Sequence, residues 1–193
     1  PRLGFLPQGL GLSLYPELSI EENIDFLARL RLVPAPALAE RKERLLAMTR
    51  LAPFRDRPMK HLSGGMTQKL GLICTLIHEP ELVILDEPTT GVDPVSRRDF
   101  WAILSRLLRE RHATALVSTA YMDEASRFHR LSLVYGGRVV ASGDPESIRA
   151  ARPGSLVVIE TERQAEAVAR LRPRFPQVDP QGACVRLFAE GLD

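Results

Sequence analysis

The chain has 193 residues, 45% of them hydrophobic, with 26 basic and 24 acidic side chains and a net charge of +2. That length suits one domain with a substantial core plus a small appendix, and the near-balanced charge gives no reason to expect DNA or other nucleic acid as a partner. The longest apolar stretch, LGLICTLI at 70–77, is far short of the roughly 20 residues of a membrane-spanning helix, and Cys74 and Cys184, without metal-type spacing, read as buried thiols of a reducing compartment.

The first residue is Pro, not Met, and a strand-like pattern begins at once; the chain reads as an excerpt of a longer protein. LGFL, closed by Pro7 and Gln8, predicts a strand entering a loop. A helix is expected from Ser19, where SIEE fits a capping box with Glu22 and apolar Ile24, Phe26, Leu27 and Leu30 keep helical spacing. A second helix is expected over about 36–50, with Leu38, Leu45 and Leu46 on one side and ERKER as a solvated face. The loop APFRDRPMKHL leads to a third helix over about 64–77.

From Leu82 the pattern changes. The continuous apolar run LVIL predicts a fully buried strand, followed by a helix over about 95–110 that turns Phe100, Ile103, Leu104, Leu107 and Leu108 inward. TALVS at 114–118 reads as another buried strand, YMDEASRF as a short helix, and LSLVY, GG and RVVAS as a hairpin. Strand, helix and strand in alternation predict a mainly parallel sheet with packed helices, and chemistry in such sheets lies beyond the carboxyl ends of the strands. Asp86, Glu87 and Ala120 fall at that edge. After a helix at 145–151, SLVVIET, RQAEAVARLR and ACVRLF suggest a small strand, helix and strand appendix.

Two adjacent acids closing a buried strand suit nucleotide hydrolysis. The first orients the water shell of Mg²⁺ and the second polarises the attacking water. On LVILDE alone, the same acids could simply end a strand and open a loop. Upstream, LSGGMTQKL puts Ser63 at a helix N-cap, before two glycines whose backbone N–H groups can approach an anion closely. Taken alone, this too is compatible with an ordinary turn into a helix.

Together, PQ at 7–8, LSGGMTQK at 62–69, LVILDEP at 82–88, GVDP at 91–94 and STAYMDEA at 118–125 resemble the ATP-binding cassette (ABC) ATPases over residues 1 to about 150. The resemblance implies an α/β P-loop NTPase cassette of the ABC type, N-terminally truncated. Its ATPase domain would cover 1–150, with a helical subdomain at about 13–77 and the remaining catalytic core at 80–150. Residues 151–193 would form a C-terminal α+β extension similar to that of drug-resistance ABC ATPases. By the same resemblance, Gln8 corresponds to the Q-loop glutamine that senses γ-phosphate and Mg²⁺. Leu62, Ser63, Gly64, Gly65, Met66 and Gln68 form the signature that meets the partner's ATP. Asp86 is the Walker B aspartate toward Mg²⁺, Glu87 the catalytic base, and Asp93 the D-loop aspartate at the dimer seam.

The spacing of 54 positions from Gln8 to Leu62 argues against chromosome-maintenance ATPases, which carry a long coiled coil there. LGLSLYPELSIEENIDFLARL is similar to the corresponding part of ABC-2-type exporter ATPases. APFRDRPMKHLSGGM and TAYMDEASRF resemble the first cassette of tandem two-cassette proteins of that group, including the ribosome-associated ATPase. The implied function is ATP binding and hydrolysis at a cassette dimer interface, energising an exporter through a transmembrane permease at the cytoplasmic face of the inner or plasma membrane. The alternatives are a ribosome-associated ATPase and a regulatory half-cassette of low activity.

Two features depart from that family. No Gly-Lys pair, and so no Walker A loop, occurs in the chain; truncation is the expected reason, and the isolated chain is expected to hold ATP poorly. Where the family carries a histidine that steadies the γ-phosphate and attacking water, this sequence has Ala120, whose methyl group can do neither. Tyr121 is bulky and no base near neutral pH, and His129 is expected at the surface. A slow or mainly structural ATP site is therefore expected on this cassette, beside an intact signature for its partner.

Overall fold

The computed structural model describes residues 2–151 and 154–189; Pro1 and residues 152, 153 and 190–193 of the expected extension lie outside them. The backbone divides into two compact units between Tyr121 and Met122.

The first unit contains β1 (Leu3–Leu6), α1 (Ile20–Leu30), α2 (Ala35–Thr49), short 3-10 turns at Ala52–Phe54 and Met59–His61, α3 (Gly64–Leu76), β2 (Leu82–Asp86), α4 (Pro94–Arg111) and β3 (Thr114–Ser118). Its strands form one parallel sheet in the order β1-β2-β3, as the alternation of elements requires.

α3 is apolar on nearly every side and accordingly central: Leu70, Leu72, Ile73 and Cys74 are all buried. It approaches β1 through small residues, since a β-carbon on Gly4 would lie 2.9 Å from the Thr75 carbonyl oxygen. Burial pushes the Cys74 thiol pKa far up, so it is an inert apolar group.

Among the described residues of this unit, one face of the sheet is covered. Gly4, Leu6, Val83 and Leu85 are buried, whereas Leu3, Phe5, Leu82 and Leu116 on the opposite face are exposed. The fully buried strands expected at LVIL and TALVS are thus half-buried, because a continuous apolar run does not reveal whether both faces find a cover.

In α1 the predicted capping box is present: Glu22 N–H donates to Ser19 Oγ (3.1 Å) and Ser19 N–H donates to Glu22 Oε2 (2.8 Å). The buried stripe runs through Ile20, Asn23, Ile24 and Ala28, leaving Phe26 and Leu30 exposed. Asn23 is wholly buried and fully used. It accepts from Tyr15 N–H (2.8 Å) and donates to the carbonyls of Tyr15, Leu18 and Ser19, fastening the preceding loop to the helix.

The ERKER face of α2 is not simply solvated. Lys42 is drawn between Glu21 (2.6 Å) and Asp25 (2.8 Å) of α1. Glu79, in a left-handed turn (φ +53°), is shared by Arg41 and Arg44 of α2 and Arg111 of α4. On α4 the inward side is Phe100, Trp101, Leu104 and Leu107; the expected Ile103 and Leu108 are only half-buried, and Trp101 joins the buried side instead.

The second unit begins with a 3-10 helix at Met122–Arg127, within the stretch where a short helix is expected. The predicted hairpin follows, β4 (Leu131–Tyr135) and β5 (Arg138–Gly143). Gly136 and Gly137 take φ of +57° and +74°, the left-handed pair that a two-residue hairpin turn demands.

Asp144 then caps α5 (Pro145–Ala150). The appendix consists of β6 (Ser155–Glu160), α6 (Gln164–Leu171), β7 (Val178–Gln181) and β8 (Cys184–Ala189), an antiparallel sheet in the order β6-β8-β7. Its core joins Val178, Val185, Leu187 and Ala189 to Val168 and Leu171 of α6. β7, with Pro180 inside it, is absent from the sequence reading; proline is compatible with it because the strand lies at the sheet edge.

Candidate functional site

All candidate residues belong to the first unit. The parallel register sets Asp86, the last residue of β2, beside Ser118, the last of β3, on the same sheet face. Ser118 Oγ donates to Asp86 Oδ1 (2.5 Å), which leaves Oδ2 without a hydrogen-bond partner among the described residues. Glu87 N–H donates to both Ser118 Oγ (3.0 Å) and the Ser118 carbonyl (3.2 Å).

Glu87 itself has φ +47°, an uncommon state for a residue with a side chain, which persists only where its surroundings hold it. Its Oε2 accepts from Thr90 Oγ1 (3.1 Å) and from the backbone N–H of Ala120 (3.2 Å). Ala120 is therefore adjacent to Glu87, and it contributes its amide, not its side chain. Tyr121 is engaged elsewhere, with the Arg97 guanidinium 4.2 Å above its ring. His129 is exposed, in the second unit.

Gln8 is exposed, two residues beyond Leu6, which pairs with Leu85; it thus leaves the sheet at the edge where Asp86 ends β2. The loop behind it turns through Gly9 (φ +103°) and Gly11 (φ +76°), and Leu10 Cδ1 lies 3.2 Å and 3.7 Å from where β-carbons of Gly64 and Gly91 would stand.

At the start of α3, Ser63 Oγ accepts from Met66 N–H (3.3 Å), the N-cap that the sequence predicts. Leu62, Gly64 and Met66 are half-buried, Ser63 is exposed, and Gly65 and Gln68 are buried. Asp93 caps α4 through Val95 N–H (3.0 Å) and Ser96 N–H (2.9 Å). Hydrogen bonds from Ser96, first its side chain and then its backbone, hold the Asp93 carboxyl below its ordinary pKa.

Two neighbourhoods therefore assemble. One contains Asp86, Glu87, Thr90, Ser118 and Ala120. The other joins the N-termini of α3 and α4, with Gly65 against Ser96, where aligned peptide dipoles favour an anion. Ser96, Thr90 and Ser118 escape the sequence reading. Only for Ser118 is there a usable signal, its position level with Asp86 once two parallel strands are assumed.

The donors suit Mg²⁺, which takes oxygen ligands, commonly one or two carboxylates completed by phosphate and water. Asp86 Oδ2, Glu87 and the Gln8 amide are such donors, and among the described residues no cluster of three or more His, Cys, Asp or Glu forms an all-protein cage. None of the described helices is long and apolar enough to cross a membrane.

The sequence model described as "ABC transporter" matches residues 1–90. The chain is 39% identical over 190 residues to the "Probable multidrug ABC transporter ATP-binding protein YbhF" of Escherichia coli, covering 96% of this chain and 32% of that protein. It is 36% identical over 148 residues to "Nod factor export ATP-binding protein I" of Ralstonia nicotianae, covering 76% and 45% of the two chains. The chain thus spans about a third to a half of the length of these relatives. Among solved structures, cbiO1 from Clostridium perfringens, described as part of the ABC transporter complex cbiONQ, superposes with a TM-score of 0.69 at 23% identity, over 91% of this chain and 64% of that one. An ATP-binding subunit of an ABC transporter superposes with a TM-score of 0.65 at 25% identity, over 78% and 62%.

Proposed function

The chain belongs to the ATP-binding cassette family, and on that premise we propose that it is part of a cassette that binds and hydrolyses ATP at a dimer interface to energise export through a membrane permease. The observation that carries this reading is the acidic pair held at the sheet edge, one oxygen of each carboxylate tied by hydrogen bonds and the other free. Mg²⁺-ATP would supply a γ-phosphoryl group in line for attack by water.

Asp86, through its free oxygen, and Gln8 would hold the cation. Glu87 orients and polarises the attacking water. Leu62, Ser63, Gly64, Gly65, Met66 and Gln68, at the start of α3, complete the ATP site of the opposite cassette, and Asp93 lies at the seam. The chain has no Gly-Lys pair, so the β- and γ-phosphates over Asp86 need a cradle that its own residues do not supply. Ala120 offers no imidazole, which makes turnover at Glu87 slow relative to the partner site.

The permease contact falls on the loop after Gln8 and on residues 13–32, where Leu12, Tyr15, Phe26, Leu30 and Leu32 leave apolar surface exposed. That contact holds the protein at the cytoplasmic membrane face. The test is purification of the full-length protein with its nucleotide. Mg²⁺-dependent ATPase activity and co-purification with a permease are expected; co-sedimentation with ribosomes instead would replace transport with a ribosomal role.

A further inference from the structure

We propose that Ser118 is a positioning residue for the acidic pair, setting the direction of the Asp86 carboxylate and the left-handed backbone of Glu87 with one hydroxyl. The inference rests on the roles just given to Asp86 and Glu87.

A serine hydroxyl has one hydrogen and two lone pairs. Here the hydrogen goes to Asp86 Oδ1 (2.5 Å), and a lone pair receives Glu87 N–H (3.0 Å). The polarity of the chain is thereby fixed, Glu87 N–H to Ser118 O–H to carboxylate, and each bond polarises the next in the same sense.

The Glu87 amide is also shared with the Ser118 carbonyl (3.2 Å), a contact that any residue at 118 would make. The hydroxyl is what serine adds. It anchors Asp86 Oδ1, as Thr90 and the Ala120 amide anchor Glu87 Oε2. One oxygen of each acid, Asp86 Oδ2 and Glu87 Oε1, is left open for a cation's water shell and for a nucleophilic water. With an apolar side chain at 118, Asp86 could rotate about its terminal torsion, and its free oxygen would no longer be specified.

The experiment compares Ser118→Ala and Ser118→Thr in the full-length protein, after thermal melts establish that both fold. Two readings are taken: amide hydrogen exchange at Glu87 in nucleotide-free protein, and the Mg²⁺ dependence of ATP hydrolysis at saturating ATP.

Ser118→Ala should speed Glu87 exchange several-fold, as expected for loss of one hydrogen bond. It should also raise the half-saturating Mg²⁺ concentration by about 10-fold or more, the loss from disturbing a partner of a metal-facing carboxylate. The KM for ATP at saturating Mg²⁺ should change less than about twofold, because Ser118 acts through Asp86 and not on the nucleotide. Ser118→Thr, which keeps the hydroxyl on a residue suited to a strand, should restore both readings.

Should Ser118→Ala melt early, Ser118→Cys, of similar shape with a weaker donor, takes its place with the same readings expected. A folded alanine or cysteine variant with unchanged exchange and unchanged Mg²⁺ dependence overturns the proposal, as does a threonine variant that rescues neither. Unaltered protein that lacks Mg²⁺-dependent hydrolysis counts against the function proposed above; amide exchange alone then decides whether Ser118 holds Glu87.

Discussion

Gly65 and Ser96 meet so closely that a β-carbon on Gly65 would stand 2.4 Å from Ser96 Oγ and 2.6 Å from its Cβ. Those distances lie inside van der Waals contact and involve an atom bonded directly to the α4 backbone. Gly65→Ala must therefore part the N-termini of α3 and α4, and should destabilise the fold by about 1–3 kcal/mol in denaturant unfolding despite alanine's better helix propensity. Gly64→Ala would meet the tip of Leu10 at 3.2 Å, which can swing away, and the Gly91 carbonyl oxygen at an ordinary 3.6 Å, and should be near neutral. Equal stability of the two variants would show that Ser96 has room to yield.

The two neighbourhoods are predicted to serve different nucleotides. Ser63→Arg, which removes the α3 cap and puts bulk and positive charge where phosphate would arrive, should suppress hydrolysis at the partner's site in the full-length dimer. Glu87→Gln should reduce only the turnover that depends on this cassette, by about 10²- to 10⁴-fold if Glu87 acts as base. Single-site turnover measured in dimers carrying one variant each would separate them; identical and total losses from both would end the asymmetry.

Ala120→His should raise ATP turnover at the site over Asp86. Residue 120 is exposed, so an imidazole has space, and its backbone N–H already lies 3.2 Å from Glu87 Oε2. Steady-state kinetics of the full-length variant would check this, and an unchanged rate would mean that the missing imidazole is not what limits the site.

His78 gives a pH dependence. Its Nε2 lies 3.0 Å from the Leu3 carbonyl, so Nε2 carries the proton, while Nδ1 is buried without a hydrogen-bond partner among the described residues. Charging the ring would bury a second N–H with no acceptor. Burial is the main influence lowering the pKa below 6.5, the Leu3 carbonyl opposes it, and Arg31 adds to the lowering. The unfolded chain then binds the proton more readily, so folding stability falls as pH drops through 6.5 toward the folded value. Relative to His78→Gln, the unaltered protein should lose stability between about pH 7 and pH 5; parallel stability curves would refute it.

Local signals carried much of this fold. The Ser19–Glu22 box, the Ser63 cap and the Gly136-Gly137 turn are decided within a few residues, and each stands where the sequence puts it. What escaped depends on partners distant in the chain. Lys42 looks like any exposed lysine until α1 brings Glu21 and Asp25 to it. Asn23, in an acidic helix start, gives no hint that it will be buried and hold the loop from Tyr15 to Ser19. At the site, motif spacing picks out Asp86 and Glu87, but Ser118 becomes visible only through strand register, and Thr90 only through the left-handed turn of Glu87.

The contact from residue 120 to Glu87 is made by a backbone amide, a group that every amino acid except proline possesses. Substitution at this position can therefore alter what faces the nucleotide without unmaking the hold on the acid beside it. A lineage could exchange the side chain there, in either direction, through intermediates that all keep Glu87 in place. Tolerance to random mutagenesis at 120 should accordingly be broad for folding, with proline as the exception.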